Sequence, residues 1–382
     1  MPPTDASQPS DRANLFDPFR LRALTLRNRI VVSPMCQYSA IDGCATDWHL
    51  AHWASLLMSG AGLVSIEATA VTAEGRITPG CLGLYDDATE AALTRTLARA
   101  REQAPPVAVA MQLAHAGRKG SSHVPWEGGQ LIPVGAGGWI PIAPSPLPHA
   151  AGEAPPEALD GRALAAILDA FASAARRASR AGIDALELHM AHGYLLHQFL
   201  SPIANRRTDD YGGSFDNRLR FPLQVFDAVR GAWPAGRPLG VRLSCTDWVD
   251  GGITLDDSIE IASRLIARGC DWIDCSSGGV SPAQKIPLGP GYQVHLARGV
   301  RVATGACTMA VGLITAPDHA QSIVADGDAD LVALARGFLW EPRWGWHAAA
   351  ALGATVEPPP QYLRSAPRET AGVFGSAKIG QR

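Results

Sequence analysis

The stretch Ala181-Gly-Ile-Asp-Ala-Leu-Glu-Leu-His-Met-Ala-His-Gly-Tyr194 decides the fold class of this chain. Residues 183–189 within it are rich in apolar side chains and have the length of a strand buried on both faces. The preceding residues 162–180 predict an amphipathic helix that stops at Gly182. Its apolar stripe comprises Leu164, Ile167, Leu168, Phe171, Ala175 and Ala178. A helix followed by a buried strand is typical of parallel α/β folds.

The same alternation recurs along the chain. Candidate strands lie at residues 29–35, 62–67, 107–112, 183–189, 239–244, 272–275, 308–312 and 331–334. A second amphipathic helix is predicted over residues 256–268, with Gly269 as its stop. Eight strands alternating with helices favour a single (β/α)8 TIM barrel, with a doubly wound open sheet as the runner-up.

Composition and charge exclude several function classes. The chain has 382 residues, 47% hydrophobic and 18% charged, which is enough for one large barrel. A formal net charge of −3 without a strongly basic stretch argues against nucleic acid or an anionic membrane as a partner. No apolar run is long enough to span a bilayer, and the first ten residues lack the features of a signal peptide. The seven cysteines are odd in number and lack Cys-x-x-Cys spacing, so they support neither a disulfide framework nor an iron–sulfur cluster. A reducing, cytoplasmic location is therefore expected.

We predict a disordered tail over residues 1–12, the barrel over 13–363 and a C-terminal tail over 364–382. Residues 121–160 contain eight prolines and six glycines, and they follow the third strand and the polar cluster Gln112–Lys119 at its end. Long loops of this kind are usually functional, so we expect a cap over the carboxyl face of the barrel. A passive surface insertion is the alternative.

Polar rings gather where the fourth strand ends, at the edge where parallel α/β folds do chemistry. His189 and His192 can bind an oxygen atom, and Tyr194 can deliver a proton. This combination indicates acid-assisted chemistry on a carbonyl compound. A zinc hydrolase could also use the two histidines, but it would need a third ligand, and we find none at the other strand ends.

Other strand ends suggest a bound cofactor. Gly312 and Arg336 follow strands seven and eight, where barrels often bind phosphate, although Arg336 could instead form a salt bridge. The Gln112 amide could match the pyrimidine edge of a flavin, and Arg242 could stabilise its anionic reduced form. No Gly-x-Gly-x-x-Gly occurs, so a separate dinucleotide domain is not supported.

Four motifs in register resemble the Old Yellow Enzyme family of FMN-dependent ene-reductases. They are Ser33-Pro-Met-Cys-Gln-Tyr38, Gln112-Leu-Ala-His-Ala-Gly-Arg-Lys119, His189-x-x-His-Gly-Tyr-Leu-x-x-Gln-Phe-Leu-Ser-Pro202 and Asn205-x-Arg-x-Asp-x-Tyr-Gly-Gly213. The match runs from about residue 15 to residue 364. The cysteine in the first motif and the compact length resemble the thermophilic-like (YqjM-like) subclass.

The resemblance implies noncovalent FMN and a ping-pong cycle. NADPH or NADH reduces the flavin, and an activated alkene such as an enone, maleimide or nitroalkene then takes hydride at its β-carbon and a proton from Tyr194 at its α-carbon. His189 and His192 would bind the substrate oxygen, Cys36 would contact and tune the flavin, and Tyr38 would line the pocket. FMN would be held by Ser33, Pro34, Met35, Cys36, Ala68, Gln112, Arg242, Gly312 and Arg336. No metal is implied.

The subclass also implies a homodimer, or a tetramer of dimers, in which Arg364 reaches the neighbouring active site. Met309 and Ala335 depart from glycines that are frequent beside the phosphate site of the family. Alternatives on the same barrel are a quinone or nitro-compound reductase and a non-catalytic FMN-binding protein. Dienoyl-CoA and amine dehydrogenase relatives would need a cysteine-ligated cluster and further domains. The physiological substrate and the choice between NADPH and NADH stay open.

Overall fold

The computed structural model describes residues 12–375, so nearly all of the predicted N-terminal tail and residues 376–382 lie outside the described part. Eight parallel strands close into a barrel in chain order. They are β1 (Ile30–Val32), β2 (Leu63–Ala70), β3 (Ala108–Ala114), β4 (Ala185–Met190), β5 (Leu239–Ser244), β6 (Ile273–Ser276), β7 (Thr308–Val311) and β8 (Leu331–Leu334). The predicted TIM barrel is therefore confirmed, and the open-sheet alternative is wrong.

Helices follow every strand on the outside of the barrel. They are α1 (Asp47–Leu57), α2 (Asp87–Arg101), α3 (Gly161–Arg180), α4 (Leu195–Leu200), α5 (Phe215–Ala232), α6 (Leu255–Ile266), α7 (Val294–Thr304), α8 (Pro317–Ala325), α9 (Arg336–Trp340) and α10 (Trp344–Leu352). The predicted helices correspond to α3 and α6, which begin after side-chain caps from Asp160 and Thr254. None of the helices within residues 12–375 is long and apolar enough to cross a membrane.

Two strands run further than the sequence indicates. β2 continues to Ala70 and β3 to Ala114, whereas Glu67 and Gln112 look like strand ends. Both polar side chains are instead buried, with 2% of each exposed, because each has a polar partner inside the protein. Glu67 accepts the Gln37 backbone N–H, and Gln112 donates to a carboxylate on β4.

Side chains alternate between the two faces of each strand, and this alternation determines which of them point into the barrel. On β4, Leu186 and Leu188 pack outward in the main core, whereas Ala185, Glu187 and His189 belong to the opposite, inward row. An apolar inner cluster fills the amino-terminal half of the barrel and includes Val31, Leu63, Ala110, Ala185, Met309 and Leu331. On β4 the inward row therefore changes from apolar Ala185 to polar Glu187 and His189 as the strand approaches its carboxyl end.

A hairpin of Phe19–Leu21 and Leu24–Leu26 packs on this inner cluster and closes the amino end of the barrel. At mid-height, the indole of Trp272 lies against Gly240, where a Cβ would be 2.0 Å from the ring. Only glycine leaves room for this ring, which occupies the barrel interior on the amino side of the polar layer.

The proline-rich insertion lies on the carboxyl face, as predicted. It contains short 3-10 turns and a two-stranded pairing of Ile142–Ala143 with Glu157–Ala158. The ring of Trp126 packs edge-on against Tyr38, with 5.6 Å between the ring centroids. The buried guanidinium of Arg118 donates to two insertion carbonyls and to the loop after β6, which fixes the insertion above the barrel.

Candidate functional site

The two histidines and the tyrosine meet at the carboxyl end of β4. His189 is the last inward residue of the strand, and the chain then turns sharply because His192 and Gly193 have φ values of 57° and 72°. A Cβ on Gly193 would lie 2.1 Å from the carbonyl oxygen of Gly279, so this turn requires glycine. The turn brings the His192 and Tyr194 side chains back over the end of the barrel.

The imidazoles of His189 and His192 are edge to face, with Nε2 of His189 3.3 Å from Nδ1 of His192. Nδ1 of His189 accepts the Ala191 backbone N–H at 3.2 Å, and Nε2 of His192 lies 2.6 Å from the Ser276 hydroxyl. Burial, reinforced by the nearby Arg242 cation, lowers the pKa of both histidines well below its usual value. Both rings are therefore neutral at pH 7.

Tyr194 completes this group of rings. Its ring lies edge-on to His189, 4.9 Å between centroids. Burial raises the pKa of the Tyr194 phenol well above its usual value, and nearby Cys36 and Tyr38 act in the same direction. The phenol therefore keeps its proton over the whole physiological range and can act as an acid.

Lys119 is a neighbour whose role the sequence does not reveal, although it ends one of the four motifs. Its ammonium donates to the carbonyl oxygens of His192 at 2.9 Å and Gly279 at 3.2 Å, and lies 5.1 Å from the centre of the Tyr194 ring. Burial lowers the pKa of Lys119 to about 8. The lysine thus ties the turn after β4 to the loop after β6 and places a cation against the phenol.

Below the rings, Gln112 donates its amide N–H to Glu187 across 2.8 Å. The other carboxylate oxygen of Glu187 accepts the Trp272 indole N–H at 3.2 Å. Burial, with the like charge of Asp274, raises the pKa of Glu187 to about 7. The sequence analysis missed Glu187 because it lies one strand away from Gln112 and 75 residues along the chain.

Arg242 and Asp274 form a second buried pair, from β5 and β6. Nε of Arg242 lies 3.2 Å from Oδ2 of Asp274, but the two groups are not aligned as a hydrogen bond. Within residues 12–375, Arg242 Nε and both Asp274 oxygens have no hydrogen-bond partner, and the buried Ser33 hydroxyl has none either. Buried polar groups normally have partners, so this end of the barrel is suited to a polar ligand such as the predicted FMN.

Gly312 and Arg336 lie on the far side of the barrel end. Gly312 has a φ of 126°, and a Cβ there would be 2.8 Å from the Gln293 amide and 3.0 Å from the Tyr292 ring. Arg336 is exposed at the start of α9 and lies near the same tyrosine. Burial raises the pKa of Tyr292, whereas a hydrogen bond from Ser277 and the positive charges of Arg336 and Arg242 lower it. The two residues predicted to hold phosphate therefore flank Tyr292, which the sequence analysis did not single out.

The two departures from the family pattern lie on β7 and directly after β8. Met309 is buried in the inner cluster and belongs to the inward row of β7. Ala335 has a φ of −103°, so its backbone is not in the left-handed conformation that favours glycine.

The loop after β1 forms the opposite wall. Pro34, Met35, Cys36 and Tyr38 are half-buried there, and Ala68 of β2 is buried beside them. Cys36 faces Cys81, and the hydrogen bond that the Cys36 thiol donates to Cys81, together with burial, raises the pKa of Cys36. The sequence did not indicate Cys81, because the pairing depends on how the loop after β2 folds back.

Two further histidines, His115 and His197, form hydrogen bonds within the protein. Nδ1 of His115 accepts the Gly117 N–H, and His197 binds Asp247 at 2.9 Å while accepting the Gly193 N–H. No group of three His, Cys, Asp or Glu side chains within residues 12–375 is arranged to bind a metal ion.

Arg364 lies away from this site in its own chain. The neighbouring Tyr362 packs on Trp346, whose ring lies against Gly60, just before β2 at the amino end of the barrel. Tyr194 is at the carboxyl end, so Arg364 does not join the predicted site residues within one subunit.

Comparison with known proteins places the chain in a family. The sequence profile of the NADH:flavin oxidoreductase / NADH oxidase family matches residues 14–353. An NADPH dehydrogenase of Geobacillus thermodenitrificans is 42% identical over 352 residues, covering 92% of this chain and 98% of that protein. An NADH:flavin oxidoreductase of Gibberella zeae is 40% identical over 373 residues, covering 93% of this chain and 90% of that protein.

Solved structures agree with this assignment. Morphinone reductase superimposes with a TM-score of 0.74 at 28% identity, covering 92% of this chain and 94% of that chain. A second morphinone reductase structure, in complex with tetrahydroNAD, covers 91% and 93% with a TM-score of 0.73 at 28% identity. The chain therefore belongs to the NADH:flavin oxidoreductase / NADH oxidase family, in agreement with its Old Yellow Enzyme motifs, and is an oxidoreductase that uses FMN and a nicotinamide hydride donor.

Proposed function

We propose that this enzyme reduces the activated C=C bond of α,β-unsaturated carbonyl compounds, maleimides and nitroalkenes in a ping-pong cycle driven by NADPH or NADH. The observation that supports this most strongly is the group of His189, His192 and Tyr194. Two neutral imidazoles whose facing nitrogens are 3.3 Å apart adjoin a phenol that keeps its proton. Such a group can bind an oxygen atom and protonate a neighbouring carbon.

The histidines act on the charge that develops during reduction. When hydride adds to the β-carbon of an enone, negative charge accumulates on the carbonyl oxygen. Two N–H donors fixed by the turn after β4 stabilise that charge without having to reorganise. Removing one donor of an oxyanion site typically costs about 10²- to 10³-fold in rate. Because the rings are neutral, they donate hydrogen bonds without transferring a proton to the oxygen.

Tyr194 supplies the proton to the α-carbon. Its contact with the His189 ring supports this role, and its raised pKa keeps it protonated between turnovers. General acids of this kind contribute roughly 10²- to 10⁴-fold. Lys119 lies over the ring and stabilises the negative charge left on the phenol after the proton has been given up.

The residues of the two walls would bind the cofactor. Ser33, Pro34, Met35, Cys36 and Ala68 would hold FMN on one side, with Gln112 and Arg242 beneath it and Gly312 and Arg336 at its phosphate. Bound there, FMN would supply the hydride-transfer chemistry between the nicotinamide and the substrate. The partnerless Ser33 hydroxyl and Arg242 Nε support this placement, because each offers a buried polar atom to a ligand. Tyr38, with Trp126 packed on it, would line the substrate pocket.

The proposed assembly is a homodimer, or a tetramer of dimers, in which Arg364 completes the site of the neighbouring subunit. The position of Tyr362 at the amino end of its own barrel supports this arrangement, because Arg364 cannot serve the site of its own chain from there.

A spectroscopic experiment tests the proposed function. The purified protein should show the absorbance of bound flavin, lose it on anaerobic addition of NADPH and regain it on addition of cyclohexenone. Recovery with quinones or nitro compounds but not with cyclohexenone would favour the alternative reductase activity. Recovery with none of these acceptors would contradict the proposed substrate class.

A further inference from the structure

Ser276 lies directly behind the proposed oxygen site. It is the last residue of β6, it is 3% exposed, and its hydroxyl oxygen is 2.6 Å from Nε2 of His192. Ser244, its neighbour on β5, accepts the backbone N–H of His192 at 2.9 Å. One serine thus fixes the main chain of His192 and the other contacts its ring.

The backbone determines where His189 carries its proton. Nδ1 of His189 accepts the Ala191 N–H, so the single proton of the neutral ring is on Nε2. That Nε2–H faces Nδ1 of His192 across 3.3 Å. Whether Nδ1 of His192 is a donor or an acceptor therefore decides whether the two rings bind each other or a third group.

Ser276 distinguishes these two arrangements. If the Ser276 hydroxyl accepts a hydrogen bond from His192 Nε2–H, Nδ1 of His192 carries no proton and accepts a hydrogen bond from His189 Nε2–H. Neither ring then has an N–H left to donate to a ligand. If the hydroxyl donates to Nε2, the His192 proton is on Nδ1, and two N–H groups face each other. Such an arrangement is stable only when an acceptor atom receives both hydrogen bonds.

We propose that Ser276 is a positioning residue whose hydroxyl donates a hydrogen bond to Nε2 of His192 when an oxygen ligand is bound. This hydrogen bond holds His192 as the Nδ1–H tautomer, so that both histidines donate to the ligand oxygen. This inference rests on the proposed function, because it assumes that the histidine pair binds the substrate oxygen. It adds a residue that acts on the ligand through His192. A hydrogen-bond partner behind a histidine commonly selects its tautomer and orients the ring toward a ligand.

The test reads the tautomer directly. Protein loaded with FMN and labelled with ¹⁵N-histidine is titrated with 4-nitrophenolate, whose oxygen resembles the charged oxygen of the reaction. The ¹⁵N shifts of His192 should report a protonated Nδ1 and a bare Nε2 in the complex. Ser276→Ala should lose this single tautomer and bind the phenolate about tenfold more weakly, the effect of one hydrogen bond. Ser276→Thr keeps the hydroxyl and should restore both.

Ser277→Ala is the matched control. The Ser277 hydroxyl is buried on the same segment but donates to Gln293, so its loss should leave the His192 shifts unchanged. A wild-type complex with the proton on Nε2 of His192 would overturn the role of Ser276 while leaving the oxygen site in place. An unchanged tautomer and affinity in Ser276→Ala would overturn it as well. If the ¹⁵N shifts of the two histidines do not change when the phenolate is added, the oxygen site of the proposed function is overturned, and this inference with it.

Discussion

The side-chain amide of Gln112 donates to the carboxyl group of Glu187 inside the barrel, across 2.8 Å. Since the amide nitrogen faces Glu187, the amide oxygen of Gln112 faces away from it. Glu187 is held in turn by the indole N–H of Trp272. One buried carboxyl group thus orients the amide that the motifs assign to the flavin, and its protonation state bears on the stability of the whole polar layer.

Glu187 makes stability depend on pH in a predictable direction. The native pKa of about 7 exceeds the ordinary value of 4.5, so between these values the native state holds a proton that the unfolded state has lost. The free energy of unfolding therefore falls as pH rises from 4.5 to 7 and levels off above that, by a total on the order of 3 kcal/mol. Urea unfolding at fixed FMN concentration measures this loss. Glu187→Gln should flatten the profile, and equal slopes in wild type and variant would refute the assignment.

Tyr194→Phe should separate the two half-reactions. The variant keeps the ring but lacks the acidic proton, so anaerobic reoxidation by cyclohexenone should slow by roughly 10²- to 10⁴-fold. Reduction by NADPH needs no proton from this phenol and should change little. Stopped-flow absorbance of the flavin measures both rates in one preparation. Equal slowing of the two half-reactions would show that the substitution disturbs the site generally and that Tyr194 is not the acid.

Gly240→Ala tests the packing beneath the polar layer. The new methyl group would lie 2.0 Å from the Trp272 ring, and this buried indole cannot move without breaking its hydrogen bond to Glu187. Overpacking of this kind costs about 1–3 kcal/mol, so thermal unfolding should occur at a lower temperature. Gly231→Ala in α5 is the control: no atom lies within 4 Å of its Cβ position, so helix propensity should make it neutral or stabilising. Equal unfolding temperatures for the two variants would contradict the close approach.

The sequence predicts the barrel well because each buried strand is a short apolar run, and it predicts the meeting of His189, His192 and Tyr194 because they follow one strand within six residues. It fails where a contact depends on register or on loops. Glu187 looks like an interruption of an apolar run until its inward position beside Gln112 is known. Ser276 and Lys119 reach His192 only because three separate strand ends meet, and no local pattern encodes that meeting.

Arg364 can be tested by mixing subunits. Arg364→Ala should raise the KM for enones, whereas Arg364→Lys should raise it less, because lysine keeps the charge but lacks the guanidinium fork. Light scattering must first show that the wild-type protein is a dimer. A monomer would exclude an Arg364 contributed by a neighbouring subunit. Wild-type secondary structure by circular dichroism should accompany the change in KM.

Mixing Tyr194→Phe with Arg364→Ala subunits then shows whether the arginine serves its own chain or its neighbour. If Arg364 acts across the interface, the mixed dimer has one site with Tyr194 from its own chain and Arg364 from the partner, and that site should show the wild-type KM. If Arg364 acts within its own chain, every site lacks one of the two residues, and mixing should restore nothing. The position of Tyr362 at the amino end of its own barrel leads us to expect restoration after subunit exchange.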